Sequence, residues 1–240
     1  MPHILLIETA TDVCSVAITD GKTVISSRHS TEPRSQASGL APMIQDALGQ
    51  ASLDIKDIAA VAVSAGPGSY TGLRVGVSTA KGLCFGAGIP LIGIGTLDVI
   101  ARGAAGSVTD PDTLIVPMID ARRMEVYTAR FDSSARRISG TEAVVLEPET
   151  FAAELEARSR VIFTGDGAAK YESILADRLR DKAVFIPSYP DAAHMAEAAF
   201  QAYEEKKFED TAYFEPFYLK EFIAADPSRK IEAVLHPDRL

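Results

Sequence analysis

The chain has 240 residues, 47% of them apolar, and a formal net charge of −9. This length is enough for one large domain or two small ones, and the apolar fraction allows a proper core. The acidic balance argues against a protein whose main task is to hold nucleic acid, because such surfaces depend on clustered lysine and arginine. No apolar run is long enough to cross a membrane.

The N-terminus and the cysteines both favour a cytoplasmic protein. Residues 1–8 lack the basic region and the apolar length of a secretion signal. Cys14 and Cys84 lie in apolar stretches, so we expect buried free thiols instead of a disulfide or a metal-binding pair.

The first half of the chain predicts three strands followed by alternating helices and strands. Asp20 and Gly21 signal a tight hairpin between the second and third strands. Pro42 lies in the first predicted helix, and because it lacks an N–H we expect that helix to begin near Ala41. The predicted strands are residues 3–9, 13–19, 22–28, 58–64 and 90–95, and the predicted helices are residues 35–50, 70–86 and 96–105, the last capped by Thr96.

The second half repeats this order of elements after a glycine- and aspartate-containing linker at residues 103–113. We therefore expect two α/β subdomains, residues 1–104 and 105–190, with a cleft between them of the kind that often binds ligands. Part of residues 190–225 could complete the first subdomain, and residues 226–240 are expected to be a loosely packed tail. The predicted strands are residues 114–120, 125–131, 142–146, 160–164 and 183–186, and the predicted helices are residues 148–158, 168–180 and 190–206.

A glycine-rich stretch at residues 65–76 connects a buried strand to a helix. Such a strand, loop and helix N-terminus form an anion-binding geometry, because unpaired N–H groups and the helix dipole point the same way. The spacing G-x-G-x-x-x-G is one residue longer than the dinucleotide fingerprint, and no Gly-Lys-Ser/Thr follows as it does in a Walker loop. The match to known phosphate loops is therefore loose.

The helix that follows carries small residues on one face. Gly72, Gly76 and Ala80 are four residues apart and share that face. An interior glycine costs about 1 kcal/mol relative to alanine, so contacts outside the helix must compensate. The small face predicts either close packing on the chain's own sheet or contact with a partner subunit, and the spacing does not decide between them.

Several separated motifs together resemble the bacterial TsaB (YeaZ) family. They are residues 7–11, 66–76, 119–122, 125–127 and 216–220, and the resemblance extends over about residues 3–222. It implies an actin-like ATPase fold (ASKHA, RNase H-like), an α/β fold with two similar βββαβαβα subdomains. It also implies a role in making threonylcarbamoyladenosine beside the anticodon of tRNA.

The resemblance further implies a scaffold subunit that pairs with TsaD, the catalytic paralogue, through helices 35–50 and 70–86. TsaE would bind the pair, the chain alone would form a homodimer, and contact with tRNA would be indirect or weak. Ala80→Arg or Gly76→Arg should then abolish pairing without unfolding the monomer. The expected interface residues are apolar or small: Leu40, Met43, Ile44, Ala47, Leu73, Gly76, Val77 and Ala80.

The residues themselves argue against catalysis, and we expect no cofactor and no metal site. The four histidines, at positions 3, 29, 194 and 236, are far apart and lack ligand spacing. Glu8 stands where the family carries aspartate, which favours an idle pocket with Glu8 capping the loop of Thr9 and Thr11. The expected vestigial phosphate loop consists of Glu8, Thr9, Thr11, Gly66, Gly68, Ser69, Thr71 and Gly72.

Other polar and aromatic residues have two interpretations each. Ser69 and Thr71 lack a nucleophile elbow and a histidine base, so helix capping is favoured over nucleophilic chemistry. Asp120 and Arg122 form either a solvated ion pair across a turn or part of the lining of the interdomain cleft. For the late aromatic residues, core or interface packing is favoured over base stacking because acidic residues surround them: Tyr213, Phe214, Phe217, Tyr218 and Phe222.

Two competing functions remain. A small-molecule kinase or ATPase of the same fold would use residues 66–72 as a phosphate loop, but no base, metal ligand or P-loop lysine is identifiable. A metallopeptidase is the least favoured, because the first long helix has no histidine pair.

Overall fold

The structure is a computed structural model that describes residues 1–32 and 36–219. It contains two five-stranded mixed sheets with helices between and outside them. The strands are β1 (His3–Glu8), β2 (Cys14–Asp20), β3 (Thr23–Ser30), β4 (Ile58–Gly66), β5 (Leu91–Gly95), β6 (Thr113–Asp120), β7 (Glu125–Thr128), β8 (Glu142–Val145), β9 (Arg160–Thr164) and β10 (Ala183–Ile186). The helices are α1 (Gln36–Ala51), α2 (Tyr70–Ala87), α3 (Thr96–Ala105), α4 (Ala152–Ala157), α5 (Ala168–Ile174) and α6 (Ala196–Glu204).

The two sheets have the same topology. The first runs β3-β2-β1-β4-β5, with antiparallel pairing from β3 to β1 and parallel pairing from β1 to β5. The second runs β8-β7-β6-β9-β10 with the same pattern of directions. The predicted α/β class and the repeated βββαβαβα order are confirmed.

Alternation along the buried strands produces a layered core. Leu5 and Ile7 face α1 and α2, whereas Ile4 and Leu6 face the opposite side, where α3 and α6 pack. Helix α3 lies between the sheets, because its Val99 packs with the first sheet while other residues of the helix pack with strands of the second. Helices α4 and α5 cover the outer face of the second sheet.

Several predicted boundaries are wrong for identifiable reasons. Helix α1 begins at Gln36 and contains Pro42, which lies on the exposed side where the carbonyl it leaves unpaired can be hydrated. Gly95, not Thr96, is the N-cap of α3. Strand β7 ends at Thr128, and of the remaining residues of the predicted strand 125–131 only Phe131 forms isolated bridges.

The helices of the second half are shorter than predicted. Residues 148–158 are helical only at Ala152–Ala157, and residues 168–180 divide into α5 and a 3₁₀ turn at Asp177–Lys182. Residues 190–206 contain a 3₁₀ turn, Ala192–Met195, before α6. In each of these segments the apolar pattern predicts one continuous helix, and the structure shows a turn that shortens or divides it.

The predicted subdomain boundaries stay a prediction. Met195 and Ala199 pack in one cluster with Ile4 and Leu6, which supports assigning part of residues 190–225 to the first half. The predicted tail at residues 226–240 lies outside the described residues. Within residues 1–32 and 36–219, the helices are too short or too polar to span a membrane.

Candidate functional site

A cleft of about 890 Å³ lies where the two halves of the molecule meet. The glycine loop and the start of α2 form one wall, the turn after β6 and the end of β9 form the other, and the segment before the end of the described chain closes one side. The lining residues are Ala10, Thr11, Asp12, Pro67, Gly68, Ser69, Tyr70, Thr71, Ile119, Asp120, Ala121, Arg122, Tyr127, Asp166, Tyr189, Phe217, Tyr218 and Leu219.

The predicted phosphate loop divides into a front and a back. Four of its residues line the cleft: Thr11, Gly68, Ser69 and Thr71. The other four are buried behind the cleft wall: Glu8, Thr9, Gly66 and Gly72.

Ser69 caps α2, and its polar groups are used within the loop. The Ser69 hydroxyl accepts the Gly72 N–H at 3.3 Å, and the Ser69 N–H donates to the Ala10 carbonyl at 2.7 Å. A Cβ on Gly68 would lie 2.5 Å from that same carbonyl oxygen, so only glycine permits this approach. The β1–β2 loop and the glycine loop are therefore fastened together by backbone contacts.

The late segment of the chain crosses the glycine loop from outside. The Phe217 N–H donates to the Ala65 carbonyl at 2.7 Å, and the Phe217 carbonyl oxygen lies 2.7 Å from where a Cβ on Gly66 would be. Gly66 has φ +102°, a conformation that side-chain-bearing residues rarely adopt. Glycine at position 66 therefore allows the backbone of Phe217 to pass close to the loop.

Glu8 is fully buried at the end of β1. Its Oε1 accepts the Ala10 N–H at 2.6 Å, while its Oε2 is buried and accepts no hydrogen bond from the described residues. Burial raises the pKa of Glu8 to about 7, and the hydrogen bond from the Ala10 amide limits that rise. The carboxyl group supports the turn after β1 and does not line the cleft.

The small face of α2 packs on the chain's own β1–β2 loop. A Cβ on Gly72 would lie 2.1 Å from the Thr9 carbonyl oxygen, and one on Gly76 would lie 2.2 Å from the Thr9 Oγ1. Ala80 continues this face into the core of the first sheet. Of the two interpretations of the small residues, self-packing applies to this face.

The predicted partner interface stays a prediction, but its residues are not a free surface of the described monomer. Seven of its residues are buried: Leu40, Ile44, Ala47, Leu73, Gly76, Val77 and Ala80; the eighth, Met43, is partly buried against the same cluster. An arginine at Gly76 or Ala80 would meet packed atoms, so we now expect those variants to unfold the monomer.

Asp120 and Arg122 both line the cleft, which is the second of the two interpretations offered for them. Asp120 Oδ1 accepts the Arg122 backbone N–H at 2.6 Å and pairs with Lys170 Nζ at 2.6 Å. Asp166 Oδ1 accepts the Asp120 N–H at 3.0 Å. Burial raises the pKa of Asp166, and the nearby negative charges of Asp120 and Asp12 add to the effect.

The late aromatic residues do not form one core cluster. Tyr213 is 84% exposed, and only Phe214 packs against the first core. Phe217 and Tyr218 line the cleft, where the Tyr218 ring lies 5.2 Å from that of Tyr70. The Arg74 guanidinium lies 4.3 Å from the Tyr70 ring centre on the same helix, and Phe222 lies outside the described residues.

The sequence reasoning missed Asp166, Tyr127 and Tyr189. Asp166 had a usable signal, because it follows β9 directly in a Gly-Asp-Gly sequence and β9 pairs in parallel with β6, which ends at Asp120. The ends of neighbouring parallel strands lie at the same edge of a sheet. Tyr127 lies in the 125–127 motif of the family resemblance but was not assigned to the site, and Tyr189 carried no distinguishing pattern.

Within the described ranges, no group of three or more histidine, cysteine, aspartate or glutamate side chains is placed to hold a metal ion. His29 pairs with Asp191 at 3.3 Å, and position 236 lies outside those ranges. Cys14 and Cys84 are buried free thiols, as predicted, and burial raises the pKa of each to about 11.

Comparisons with known proteins agree on one family. The family model described as "TsaD: tRNA N6-adenosine threonylcarbamoyltransferase" matches residues 30–226. The TsaB protein of Escherichia coli strain K12, named as a tRNA threonylcarbamoyladenosine biosynthesis protein, is 35% identical over 92% of this chain and 96% of its own length. The structure of YeaZ from Pseudomonas aeruginosa superposes with a TM-score of 0.77 at 25% identity, over 91% of this chain and all of that one.

A more distant structure shares only the fold. The activator of 2-hydroxyisocaproyl-CoA dehydratase from Clostridium difficile has a TM-score of 0.51 at 13% identity, over 93% of this chain and all of that one. It agrees with the predicted actin-like (ASKHA) fold. With a family match over most of its length and a 35% identical relative of nearly equal extent, the chain belongs to the TsaB (YeaZ) family of tRNA threonylcarbamoyladenosine biosynthesis proteins.

Proposed function

We propose that the chain is an accessory subunit in tRNA threonylcarbamoyladenosine biosynthesis, which binds TsaD and performs no transfer chemistry itself. The name of the E. coli relative supports the pathway. The match to the TsaD family model supports a partner of related fold. A cytoplasmic location, where tRNA is modified, and binding of TsaE to the pair belong to the same proposal.

The observation that supports the non-catalytic role is that the glycine loop is already occupied by contacts within the chain itself. Its cap hydroxyl and the Ser69 N–H are bonded within the protein, and the Phe217 backbone lies across Gly66. The described lining of the cleft includes no histidine, and the carboxyl group of Glu8 is buried behind it. A glycine loop that is covered by the chain's own segments is better suited to stabilising the fold than to binding and hydrolysing a nucleotide.

The docking surface we propose is the outward face of α2, opposite the buried glycines. Among the residues that the structure describes, a Cβ on Gly82 or Gly86 would meet no atom within 4 Å beyond the local helix backbone, and the Phe85 side chain is 87% exposed between them. Small residues around a projecting aromatic ring let another backbone approach closely while the ring fills a pocket. We assign TsaD as the occupant, and a homodimer would use the same face when TsaD is absent.

Direct contact with tRNA is not part of this role. The net charge of −9 opposes binding to a polyanion, and we expect tRNA to be held by other subunits.

Gly82→Arg tests the docking surface, with Gly140→Arg as its matched control. Both glycines face open space, but Gly140 lies on the second half of the molecule, away from α2. Light scattering after size exclusion should show a one-to-one complex with TsaD for the unaltered chain and for Gly140→Arg, and separate proteins for Gly82→Arg. Thermal melting should be unchanged or improved in both variants.

Two results would contradict the proposal. If Gly82→Arg still co-elutes with TsaD, the docking face is assigned incorrectly. If the chain alone hydrolyses ATP with magnesium, and Asp120→Asn removes that activity, the subunit has chemistry of its own.

A further inference from the structure

The turn at residues 210–214 holds the Tyr213 side chain in solvent, where it is 84% exposed. Asp210 closes the turn, because its carbonyl oxygen accepts the Phe214 N–H at 2.8 Å and its Oδ1 accepts the Ala212 N–H at 2.8 Å. The Tyr213 N–H lies 3.2 Å from both of these oxygens. The backbone is therefore fixed while the ring is hardly buried, so the ring adds little to the stability of the monomer.

Lys81 fastens this turn to helix α2. Its Nζ donates to the Ala212 carbonyl at 3.0 Å and to the Phe214 carbonyl at 3.1 Å, on either side of Tyr213. Phe85 lies four residues after Lys81 on α2, so the two side chains are neighbours on one side of the helix. Tyr213 and Phe85, the two most exposed aromatic rings among the described residues, therefore lie on adjoining parts of one surface.

The charge around the turn limits the kind of group that can meet Tyr213. Glu209 and Glu215 lie on either side of the turn and are exposed, and neither forms an ion pair within the described part of the chain. The Asp210 carboxylate adds a third negative charge and Lys81 adds one positive charge, so the turn stays acidic. A cationic side chain is attracted both by this charge and by the face of an exposed tyrosine ring.

We propose that the turn at residues 210–214 is a second part of the TsaD docking surface, in which Tyr213 receives a lysine or arginine side chain of TsaD. Lys81 is the positioning residue that holds the turn beside Phe85. This inference rests on the proposed docking of TsaD to the outward face of α2, and TsaD is the occupant because Lys81 ties the turn directly to that helix. A preformed aromatic anchor loses little conformational freedom on binding, and such residues often dominate the binding energy.

Isothermal titration calorimetry of the full chain with TsaD tests the anchor. Tyr213→Ala should weaken binding by roughly tenfold or more, as the loss of a central aromatic contact does. Val145→Ala is the control, because it shortens a 62% exposed side chain on β8 of the second sheet, and it should bind TsaD as the unaltered chain does. Equal affinities of Tyr213→Ala and Val145→Ala for TsaD would overturn the proposal.

The charge of the partner group is tested with Glu215→Lys. This variant should also weaken TsaD binding, and the loss should shrink at high salt because ions screen exposed charges. Unchanged or tighter binding of Glu215→Lys would show that the group opposite Tyr213 is not a cation.

The role of Lys81 is tested in the free chain and in the complex. Lys81→Met removes both hydrogen bonds to the turn and keeps most of the side-chain stem, so amide hydrogen exchange at residues 212–214 should become faster and TsaD binding should weaken although Tyr213 is present. Lys81→Arg keeps a cationic donor and should restore slow exchange and binding. Unchanged exchange in Lys81→Met would show that Lys81 does not position the turn.

Failure of this inference is distinguishable from failure of the proposed docking face. If Gly82→Arg prevents TsaD binding and Tyr213→Ala does not weaken it, TsaD docks on α2 and not on the turn. If both variants bind TsaD as the unaltered chain does, the whole surface is assigned incorrectly.

Discussion

The two faces of helix α2 use the same residue type for opposite purposes. On the inner face, Gly72 and Gly76 allow the Thr9 backbone and hydroxyl to lie where a Cβ would otherwise be. On the outer face, a Cβ on Gly82 or Gly86 would meet no atom of the described residues within 4 Å beyond the local helix backbone, and the Phe85 ring projects between them. The inner glycines are required by the fold of the monomer, whereas the outer ones weaken the helix without any benefit to the monomer. That difference directs attention to the outer face as the surface kept for another molecule.

The largest effect of adding one methyl group to α2 should come from Gly72→Ala, which closes the approach of the Thr9 backbone to the inner face. The new methyl group would lie 2.1 Å from a backbone oxygen that cannot rotate away. Overpacking of this kind costs about 3 kcal/mol, of which better helix propensity returns at most about 1 kcal/mol. We expect a net loss of about 2 kcal/mol in the free energy of unfolding, measured by urea titration. An unchanged midpoint would mean that the loop of Thr9 is free to move.

The free energy of unfolding should depend on pH through Glu8, which supports the turn after β1. The pKa of Glu8 is raised from 4.5 to about 7 by folding, so the folded state holds a proton that the unfolded state releases between those values. Stability from this group is therefore complete below about pH 4.5 and is lost as pH rises through 7, by up to roughly 3 kcal/mol.

Glu8→Gln should remove that dependence, because glutamine keeps the carbonyl oxygen and carries no charge. We expect the variant to match the unaltered chain near pH 4 and to be more stable at pH 8, in urea titrations across that range. A difference that stays constant with pH would contradict the buried, proton-binding state of Glu8.

The smallest effect should come from the outer face. Gly82→Ala adds a methyl group in open space, so the helix should gain about 0.5–1 kcal/mol with no clash. Differential scanning calorimetry of Gly82→Ala and Gly72→Ala would then give shifts of opposite sign within one helix. Destabilisation by Gly82→Ala would show that the outer face is packed after all.

Sequence patterns predicted the order of elements because that order depends on local periodicity. The short apolar runs of β1, β4 and β9 mark strands wherever they lie in the fold. Strand order was beyond reach, since parallel pairing joins segments separated by whole helices. The small face of α2 was recognised, but its partner, Thr9, is more than sixty residues away and could not be identified from spacing.

The cleft was predictable only in part. The glycine loop and Asp120 could be predicted, because turn-forming residues follow a buried strand at each of these places. Tyr189 and Tyr218 reach the same cavity through tertiary folding, and the acidic residues around Tyr218 pointed toward packing instead of ligand contact. The burial of the apolar stripe on α1 and α2 within the monomer could not be predicted, because such a stripe has the same pattern whether it faces a sheet or a partner.

The position of helix α6 has a consequence for synthesis on the ribosome. Met195 and Ala199 complete the apolar layer against Ile4 and Leu6, and Glu209 bridges to Leu91 at the edge of the first sheet. The second sheet draws all its strands from the continuous stretch of residues 113–186. The half that emerges first must therefore wait, with part of one face of its sheet covered only by α3, until α6 has been translated. The half that emerges second has every strand it needs by residue 186.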